Sequence, residues 1–454
     1  MSSLSLDGHV AFDDSLSPFK AISKLPRSSR LVSHYTPRNI WDEDTLKLPK
    51  SLQNYRKMLR QFAQSTLAPA ALSGDIALHL PSGETHTELV HILSSAGKTG
   101  LLSDQLPAPW GSMKAINFRH SLVLQSCLKT EELFSACAGY GLAISASGLG
   151  SLPILLSGNL SSIRRFMVPA YKASMQGDAQ LFAFAITEPG AGSDAEEGHG
   201  AKHAKPSVVA KKCTGGWKLN GRKCFISGGD IANNITVFAA LEGEGMESWT
   251  CFLVKKGTPG FKAVRNELKM GQRASTASEL EFVDVFVPNT HVIGELRQGW
   301  ALNRATLNYS RMPVAAIALG IARGAMESAI NFVCHYKVTG KALIHYQEIQ
   351  LQVAQMIAET SVMRSLIWQN AEAMVPRQGK ASMAKFYCSD AAIRVCDMAM
   401  DLLGNQGMLH KNNVEKCFRD ARLTQIYEGT NQINRLAVIE EYQNEFLTLG
   451  DQPK

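Results

Sequence analysis

The order of hydrophobic and polar positions divides the chain of 454 residues into four stretches. Residues 1–50 are rich in Ser and Pro with little periodicity, which predicts an irregular N-terminal arm. Residues 51–180 carry apolar positions at helical spacing, as in "NYRKMLRQFAQ". Residues 181–290 hold short β-rich runs such as "NITVFAALE" and "WTCFLVKK". Residues 291–454 return to long helical patterns, so we expect a mostly α protein with a central β domain.

Within the β-rich stretch, one dipeptide makes a specific local prediction. Asn220-Gly221 lies between the runs "WKL" and "RKCFIS". Asn-Gly readily adopts the left-handed conformations that a tight hairpin turn requires. The sequence therefore predicts a β-hairpin that turns at these two residues.

Composition narrows the classes of function. With 45% hydrophobic and 19% charged residues, the chain has the balance of a globular protein. A net charge of +7 suits an anionic ligand but is too mild to favour nucleic acid. Nine cysteines without a CxxC pair indicate reduced thiols rather than a disulfide or zinc framework. His335, His345 and His410 stand in helical or loop context without the clustered spacing of metal ligands, so no metal site is predicted.

The sequence also bears on location. No run of about 18–20 continuous apolar residues is present, so no membrane span is expected. Asp7, Asp13 and Asp14 precede any basic cluster and no apolar segment follows them, which argues against a secretory signal and against a mitochondrial presequence. We expect a cytoplasmic protein.

Two phosphate-binding motifs are excluded by missing glycines. "SSAGKTG" (94–100) resembles a P-loop, but the glycine required five residues before Gly97 is replaced by Ile92. "GYGLAISASG" lacks both a preceding strand and the third glycine of a dinucleotide fingerprint.

A glycine-rich turn at 185–195, "AITEPGAGSDA", follows a β run. Gly190 and Gly192 allow close approach of the backbone to a bulky ligand, while Thr187 and Ser193 offer hydroxyl groups to ring edges or phosphate oxygens. As an isolated feature this stretch is also compatible with an ordinary turn.

The stretch "RDARLTQIYEGTNQINR" (419–435) raises a similar choice. A Gly-Thr pair inside a helix is destabilising, by about 1 kcal/mol for Gly relative to Ala. One interpretation is that Gly429 ends one helix, Thr430 or Asn431 caps the next, and Glu428 is solvated. The other is that a reaction requires Glu428 beside an accessible backbone.

Further motifs follow in a fixed order: "KCFISGG" (223–229), "ELKMGQRAS" (267–275), "FVDVFVP" (282–288) and "YSRMP" (309–313). Together with the two stretches above, they resemble the acyl-CoA dehydrogenase family over residues 52–446. The resemblance implies a helical N-terminal domain, a β-barrel-like middle domain and a C-terminal four-helix bundle. It also implies a homo-oligomer, either a tetramer or a dimer.

By resemblance, the activity is FAD-dependent oxidation of an acyl-CoA thioester to the 2-enoyl-CoA, with an electron-transferring flavoprotein as electron acceptor. Glu428 is then the base that removes the α-proton, and the β-hydride passes to flavin N5. Some family members hold the base at the position of Ser310, which cannot act as a carboxylate here.

The remaining roles are also carried over from the family. The substrate contacts implied are Ser193, Asn308, Arg311 and Gly429. The FAD contacts implied, some of them reaching from a neighbouring subunit, are Phe184, Ile186, Thr187, Gly192, Ser193, Phe225, Ile226, Ser227, Gln347, Asp401, Leu402, Gly404, Asn405, Thr430 and Gln432.

Two departures from the family pattern concern FAD. In "CHYKVTGKAL" (334–343), expected in the second helix of the C-terminal domain, Tyr336 replaces an arginine that binds the pyrophosphate, and Thr339 replaces a phenylalanine. Gly404-Asn405 stands where the family has two adjacent glycines, so Asn405 replaces the second of them. These changes leave open a scaffold or assembly protein that binds FAD weakly or not at all, and an O₂-using oxidase or monooxygenase is the third reading. The acyl group is not determined by the sequence.

Overall fold

Helices form both ends of the described chain, and a sheet lies between them. The computed structural model describes residues 18–33, 35, 38–77, 86–195 and 203–450. The α-helices are α1 (Pro18–Ser23), α2 (Arg27–Ser33), α3 (Ile40–Leu46), α4 (Lys50–Phe62), α5 (Ala71–Ile76), α6 (Thr87–Lys98), α7 (Leu122–Ala136), α8 (Ala138–Leu156), α9 (Leu160–Ser162), α10 (Val168–Met175), α11 (Gly299–His335), α12 (Gln347–Ala371), α13 (Gln378–Leu403), α14 (Val414–Thr424) and α15 (Asn431–Gly450).

The described part of the N-terminal arm is helical rather than irregular. Helices α1 to α3 each span only six or seven residues, too few for a helical period to emerge from the sequence. Helix α3 begins at a cap in which the Asn39 side chain accepts a hydrogen bond from the backbone N–H of Asp42. The predictions that concern residues 1–17 lie outside the described residues.

The middle of the chain forms a mixed sheet, which is the form that the predicted β domain takes. Its strands run in the order β6-β7-β3-β2-β4-β5-β8, with β1 paired to β4. Strand β4 is parallel to β1 and to β2, and the other pairings are antiparallel. The strands are β1 (Phe182–Ala185), β2 (Val209–Cys213), β3 (Gly216–Ser227), β4 (Asn234–Leu241), β5 (Thr250–Lys255), β6 (Phe261–Asn266), β7 (Ala277–Pro288) and β8 (Val292–Ile293).

The predicted hairpin at Asn220-Gly221 is wrong, because strand β3 continues through both residues. The turn lies earlier, at Thr214-Gly215, where Cys213 pairs with Gly216. The Asn220 side chain instead accepts a hydrogen bond from the backbone of Asp284 on β7 at a shift in register. The dipeptide therefore marks a β-bulge rather than a chain reversal.

The 37-residue helix α11 is the centre of the C-terminal bundle. It packs against α7 of the N-terminal helices and against α12, α13 and α14. At Gly320, a Cβ atom would stand 2.6 Å from the Glu131 carbonyl oxygen, so only glycine permits the approach of α7. The bundle and the N-terminal helices thus share one core.

A buried ionic cluster ties these helices together. Glu131 and Glu132 on α7 pair with Arg56, Arg323 and Arg364 at 2.7–2.9 Å, on α4, α11 and α12 respectively. The arginine charges hold the pKa of Glu131 well below its usual range, outweighing the effect of burial, which would raise it. The charge balance of this cluster is a condition for the helices to pack.

Helix α3 of the arm supplies a further charge to the same cluster. Asp44 accepts from Arg364 at 2.9 Å, and the Trp41 indole N–H donates to Glu132 at 2.8 Å. With Asp44, three carboxylates face three guanidinium groups, while Arg60 and Glu327 add one charge of each sign at the rim. The arm is therefore anchored in the protein core.

Within the described residues, two helices have the length and composition of a membrane span, α8 and α11. Most of each is buried against other parts of the chain. Apolar character on all sides is what a central core helix requires.

Candidate active site

The turn that joins α14 to α15 holds Glu428 in an unusual backbone conformation. Glu428 has φ 57° and Gly429 has φ 81°, both in the left-handed region. Thr430 accepts a hydrogen bond from the backbone N–H of Ile433 at 3.3 Å and so caps α15. The capping interpretation is correct for Thr430, but Glu428 is not simply solvated.

The Glu428 carboxylate lies against helix α11. The Ser310 hydroxyl donates a hydrogen bond to its Oε2 atom. Burial raises the pKa of the Glu428 carboxyl above its ordinary value, whereas the Ser310 hydrogen bond and the charges of Arg311 and Lys385 lower it. Burial outweighs the other effects, which gives a carboxylate with increased basicity.

The carbonyl of Gly429 is fixed by two buried side chains. Lys385 Nζ on α13 donates to it at 2.7 Å, and Asn434 Nδ2 on α15 donates at 2.8 Å. Lys385 also donates to the Asn431 side chain at 2.9 Å. Sequence reasoning missed these two residues, although a lysine within the small-residue run "ASMAK" was a signal that could have identified one of them.

The motif at 267–275 brings the β domain to the same turn. The Gln272 backbone N–H donates to the Asp420 carboxylate, and its side chain reaches the Asp420 carbonyl at 3.0 Å and the Tyr427 hydroxyl at 3.4 Å. A Cβ atom at Gly271 would lie 2.4 Å from the Arg419 carbonyl. This loop therefore fixes the end of α14 immediately before Glu428.

Two segments predicted to contact flavin lie side by side in the β domain. The backbone N–H of Cys224 donates to the Thr187 carbonyl at 2.9 Å. The glycine-rich turn is held by buried Glu188, which pairs with Lys223 at 2.9 Å. The sequence motifs "AITEPGAGSDA" and "KCFISGG" thus form one surface.

Phe225 presents its ring from this surface. It has φ 57° at a shift in the register between β3 and β7, and it is 62% exposed, whereas the next residue, Ile226, is 2% exposed. Phe184, Ile186, Thr187 and Ser227 are each half-buried. An exposed aromatic ring beside hydroxyl groups and an open glycine turn fits a planar aromatic ligand.

The predicted substrate contacts have different surroundings. The Asn308 amide donates to the Pro376 carbonyl at 2.8 Å, and Arg311, 2% exposed, donates to Ser382 at 3.1 Å. Ser193 is half-buried in a short 3₁₀ turn, and Gly429 is buried. The structure brings Gly429 and Arg311 to the Glu428 turn, with Arg311 acting through its charge.

The other predicted FAD contacts lie at the ends of helices. Gln347 is the first residue of α12, and Asp401 and Leu402 lie in the last turn of α13. Gln347, Asp401, Gly404, Asn405 and Gln432 are exposed in the single chain, while Leu402 is 5% exposed. The Leu402 side chain therefore packs in the core.

Tyr336 lies elsewhere than expected. It follows α11 directly and leads into a two-stranded hairpin of β9 (Lys337–Val338) and β10 (Lys341–Ala342), not into a helix. Its ring stacks on Phe332 with centroids 4.8 Å apart, and it is 45% exposed. Lys337 is exposed beside it.

Asp75, His410 and Glu415 bring their side-chain ligand atoms within 4.8 Å of one another. Arg419 pairs with Asp75 at 2.6 Å and with Glu415 at 2.7 Å, so both carboxylates already share a guanidinium partner. This group is an ion-pair cluster between α5 and α14 rather than a suitable cation site.

Comparison with protein families matches the chain along most of its length. The models described as acyl-CoA dehydrogenase N-terminal, middle and C-terminal domains match residues 49–172, 183–285 and 297–443. A cyclohex-1-ene-1-carbonyl-CoA dehydrogenase of Geobacter metallireducens is 36% identical over 387 residues, which are 84% of this chain and 94% of that protein.

Solved structures show the same architecture. Butyryl-CoA dehydrogenase from Megasphaera elsdenii matches with a TM-score of 0.77 and 30% identity, covering 87% of this chain and 99% of that chain. An acyl-CoA dehydrogenase of Bacillus anthracis, solved in complex with FAD, matches in fold with a TM-score of 0.77 and 24% identity, covering 89% of this chain and 68% of that chain.

Proposed function

Because the chain belongs to the acyl-CoA dehydrogenase family, we propose that it oxidises an acyl-CoA thioester to the 2-enoyl-CoA, with FAD as cofactor and Glu428 as the base. The observation that carries this proposal is Glu428, a half-buried residue whose carboxylate accepts a hydrogen bond from Ser310 and whose pKa is raised by burial. The scaffold reading has no requirement for a poised carboxylate, whereas an oxidase differs from a dehydrogenase in how fast its reduced flavin reacts with O₂.

The α-hydrogen of a thioester is a weak acid, so its removal needs a base whose pKa lies near the working pH. Burial raises the pKa of Glu428 in that direction. Ser310 engages Oε2, which leaves Oε1 to accept the α-proton. Glycine adopts the left-handed conformation of Gly429 without strain, and the lack of a side chain there would leave room for the thioester.

In this proposal, residues of both the β domain and the helical bundle bind FAD. Phe225 would offer an aromatic face to the flavin ring, and Thr187 and Ser227 would offer hydroxyl groups for hydrogen bonds to it. When bound, FAD supplies a two-electron acceptor for the hydrogen at the β-carbon. The segments around Thr187 and Phe225 exclude water from one face of the site, and Glu428 acts from the bundle.

We further propose a homo-oligomer in which Gln347, Asp401, Gly404 and Asn405 complete the FAD site of a neighbouring copy, since all four are exposed in the single chain. Exposed apolar side chains on α12 and α15, among them Leu351, Val362 and Ile439, favour association. Sedimentation should show a dimer or tetramer at micromolar concentration, and a monomer throughout would contradict this proposal.

An electron-transferring flavoprotein as acceptor remains a prediction from the family resemblance. A cytoplasmic location remains a prediction from the N-terminal sequence.

The activity can be tested by the colour of the purified protein. We expect a yellow protein whose flavin bleaches under nitrogen on addition of an acyl-CoA, with the 2-enoyl-CoA as product. Butyryl-CoA, cyclohexane-1-carbonyl-CoA and cyclohex-1-ene-1-carbonyl-CoA form the first panel, because relatives carry these names. Free CoA is the control.

Each alternative has its own outcome in this test. A colourless protein that takes up no added FAD would favour the scaffold reading. Bleaching followed by rapid recolouring in air would favour an O₂-using oxidase.

A further inference from the structure

Lys385 is a lysine with no solvent exposure in the middle of helix α13. A buried ammonium group is costly unless strong acceptors surround it. Its Nζ donates to the Gly429 carbonyl at 2.7 Å and to the Asn431 side chain at 2.9 Å. Both acceptors belong to the segment that follows Glu428, so the lysine is directed at that turn.

The Glu428 turn needs such support. A residue with a Cβ atom is strained at φ 57°, and the strain persists only where surrounding contacts hold the backbone. Lys385 and Asn434 both bind the Gly429 carbonyl, from two different helices, α13 and α15. Asn434 contributes a neutral hydrogen bond, whereas Lys385 also brings a full positive charge into a site of low dielectric.

The groups that face the Glu428 carboxylate come from three elements. Ser310 and Arg311 lie on α11, and Lys385 lies on α13. Tyr427 precedes Glu428 in the turn itself. The two cations favour the charged carboxylate, and burial opposes them. Lys385 is the cation that also binds the backbone of the turn itself.

We propose that Lys385 is a positioning residue for acyl-CoA oxidation, whose ammonium group holds the left-handed turn at Glu428 and keeps the carboxylate ionised so that it can accept a proton. This inference rests on the function proposed above. It predicts that charge at position 385 matters in addition to the hydrogen bonds. A merely structural lysine would affect only stability.

The test compares four variants of the FAD-loaded protein. Lys385→Met removes charge and donors at similar length, Lys385→Gln keeps a donor without charge, and Lys385→Arg keeps the charge. Lys129→Met is the matched control, because Lys129 is also buried but pairs with Asp104 at 2.7 Å in the N-terminal helices. Thermal melting reports stability for each.

Two measurements report the state of Glu428. The first is the infrared carboxyl band that Glu428→Gln eliminates, followed from about pH 4 to about pH 9, which spans ordinary and raised glutamate pKa values. The second is the acid limb of flavin reduction by butyryl-CoA or whichever acyl-CoA of the panel bleaches the wild type. The infrared titration needs no substrate.

Loss of the positive charge should raise the midpoint of the Glu428 titration by about one pH unit or more in Lys385→Met and Lys385→Gln. The acid limb of flavin reduction should shift to higher pH by the same amount. Lys385→Arg should stay near the wild-type midpoint. Lys129→Met should melt at a lower temperature with an unchanged midpoint.

Unchanged midpoints in both uncharged variants would overturn the inference even if they melt earlier. If Lys385→Met does not fold, Lys385→Gln decides by the same criterion. A wild type that no acyl-CoA reduces would defeat the proposed function, yet the infrared titration would still show whether Lys385 sets the protonation of Glu428.

Discussion

The Ser310 hydroxyl donates a hydrogen bond to the Glu428 carboxylate across a sequence separation of 118 residues. By resemblance, Ser310 occupies the position at which some members of the family hold the base. The two alternative positions for the base are therefore in direct contact here. Ser310, which has no carboxylate, donates a hydrogen bond to Glu428, which has one.

This contact predicts the effect of Ser310→Ala. Without the hydroxyl donor, the charged form of Glu428 loses a hydrogen bond, so the pKa of Glu428 should rise further. The acid limb of the flavin reduction rate should then move to higher pH by about 1 unit. Stopped-flow reduction across pH would measure this shift, and Ser310→Thr, which keeps a hydroxyl, is the matched control.

Glu428→Gln should abolish flavin reduction by substrate while folding and FAD content stay near those of the wild type. The amide has nearly the shape of the carboxylate, and its carbonyl can still accept from Ser310, but it cannot take the α-proton. We expect a rate loss of at least about 10³-fold. Bleaching at a rate near that of the wild type would refute the role of Glu428 as base.

We predict weak FAD retention, because Tyr336 stands where the family resemblance implies an arginine that binds the pyrophosphate. Tyr336 has no positive charge with which to bind the pyrophosphate, and its ring stacks on Phe332. We expect FAD to dissociate on dilution and added FAD to raise the melting temperature. Tyr336→Arg should tighten FAD binding by about 1–3 kcal/mol through charge-assisted hydrogen bonds to the pyrophosphate.

The control for this prediction is Tyr336→Phe, which keeps the aromatic stack without adding charge. Flavin content after dialysis is the measurement. If the wild type keeps all of its FAD and the arginine changes nothing, another cation such as exposed Lys337 fulfils the role of the missing arginine.

Asp44→Asn should destabilise the protein although Asp44 lies far from Glu428 in the chain. The substitution removes one of the two carboxylates that pair with Arg364, so the buried cluster loses one negative charge. We expect the free energy of unfolding to fall by about 1–3 kcal/mol, with flavin reduction unchanged in the folded fraction. Chemical denaturation would measure this, with exposed Glu43→Gln on the same helix as control.

The sequence predicted the elements that follow a strong local pattern. Strands such as β4 and β5 and the long helices α11 and α13 lie where the apolar runs indicated. Glu428 stood out because its motif combines a carboxylate with a glycine that disfavours a helix, and its role as base is a prediction from the family resemblance. These signals are contained in a few adjacent residues.

The errors come from contacts between distant residues. Asn220-Gly221 has the local preference of a turn, but pairing with both neighbouring strands keeps it within β3. Lys385 has no motif of its own, and its role depends on a carbonyl 44 residues away. The helix at Asp44 has too few residues to show a period, and its partners lie on α7 and α12.

The ion pair between Asp44 and Arg364 joins residues 320 positions apart. During synthesis α3 leaves the ribosome early, whereas its arginine partner follows only after the whole sheet, all of α11 and most of α12. Closing so long a loop is entropically costly and slow, so the pair between Asp44 and Arg364 can form only late. Until then Glu131 and Glu132 have Arg56 but lack Arg323 and Arg364, so the newly made N-terminal half holds two carboxylates whose charge is only partly compensated.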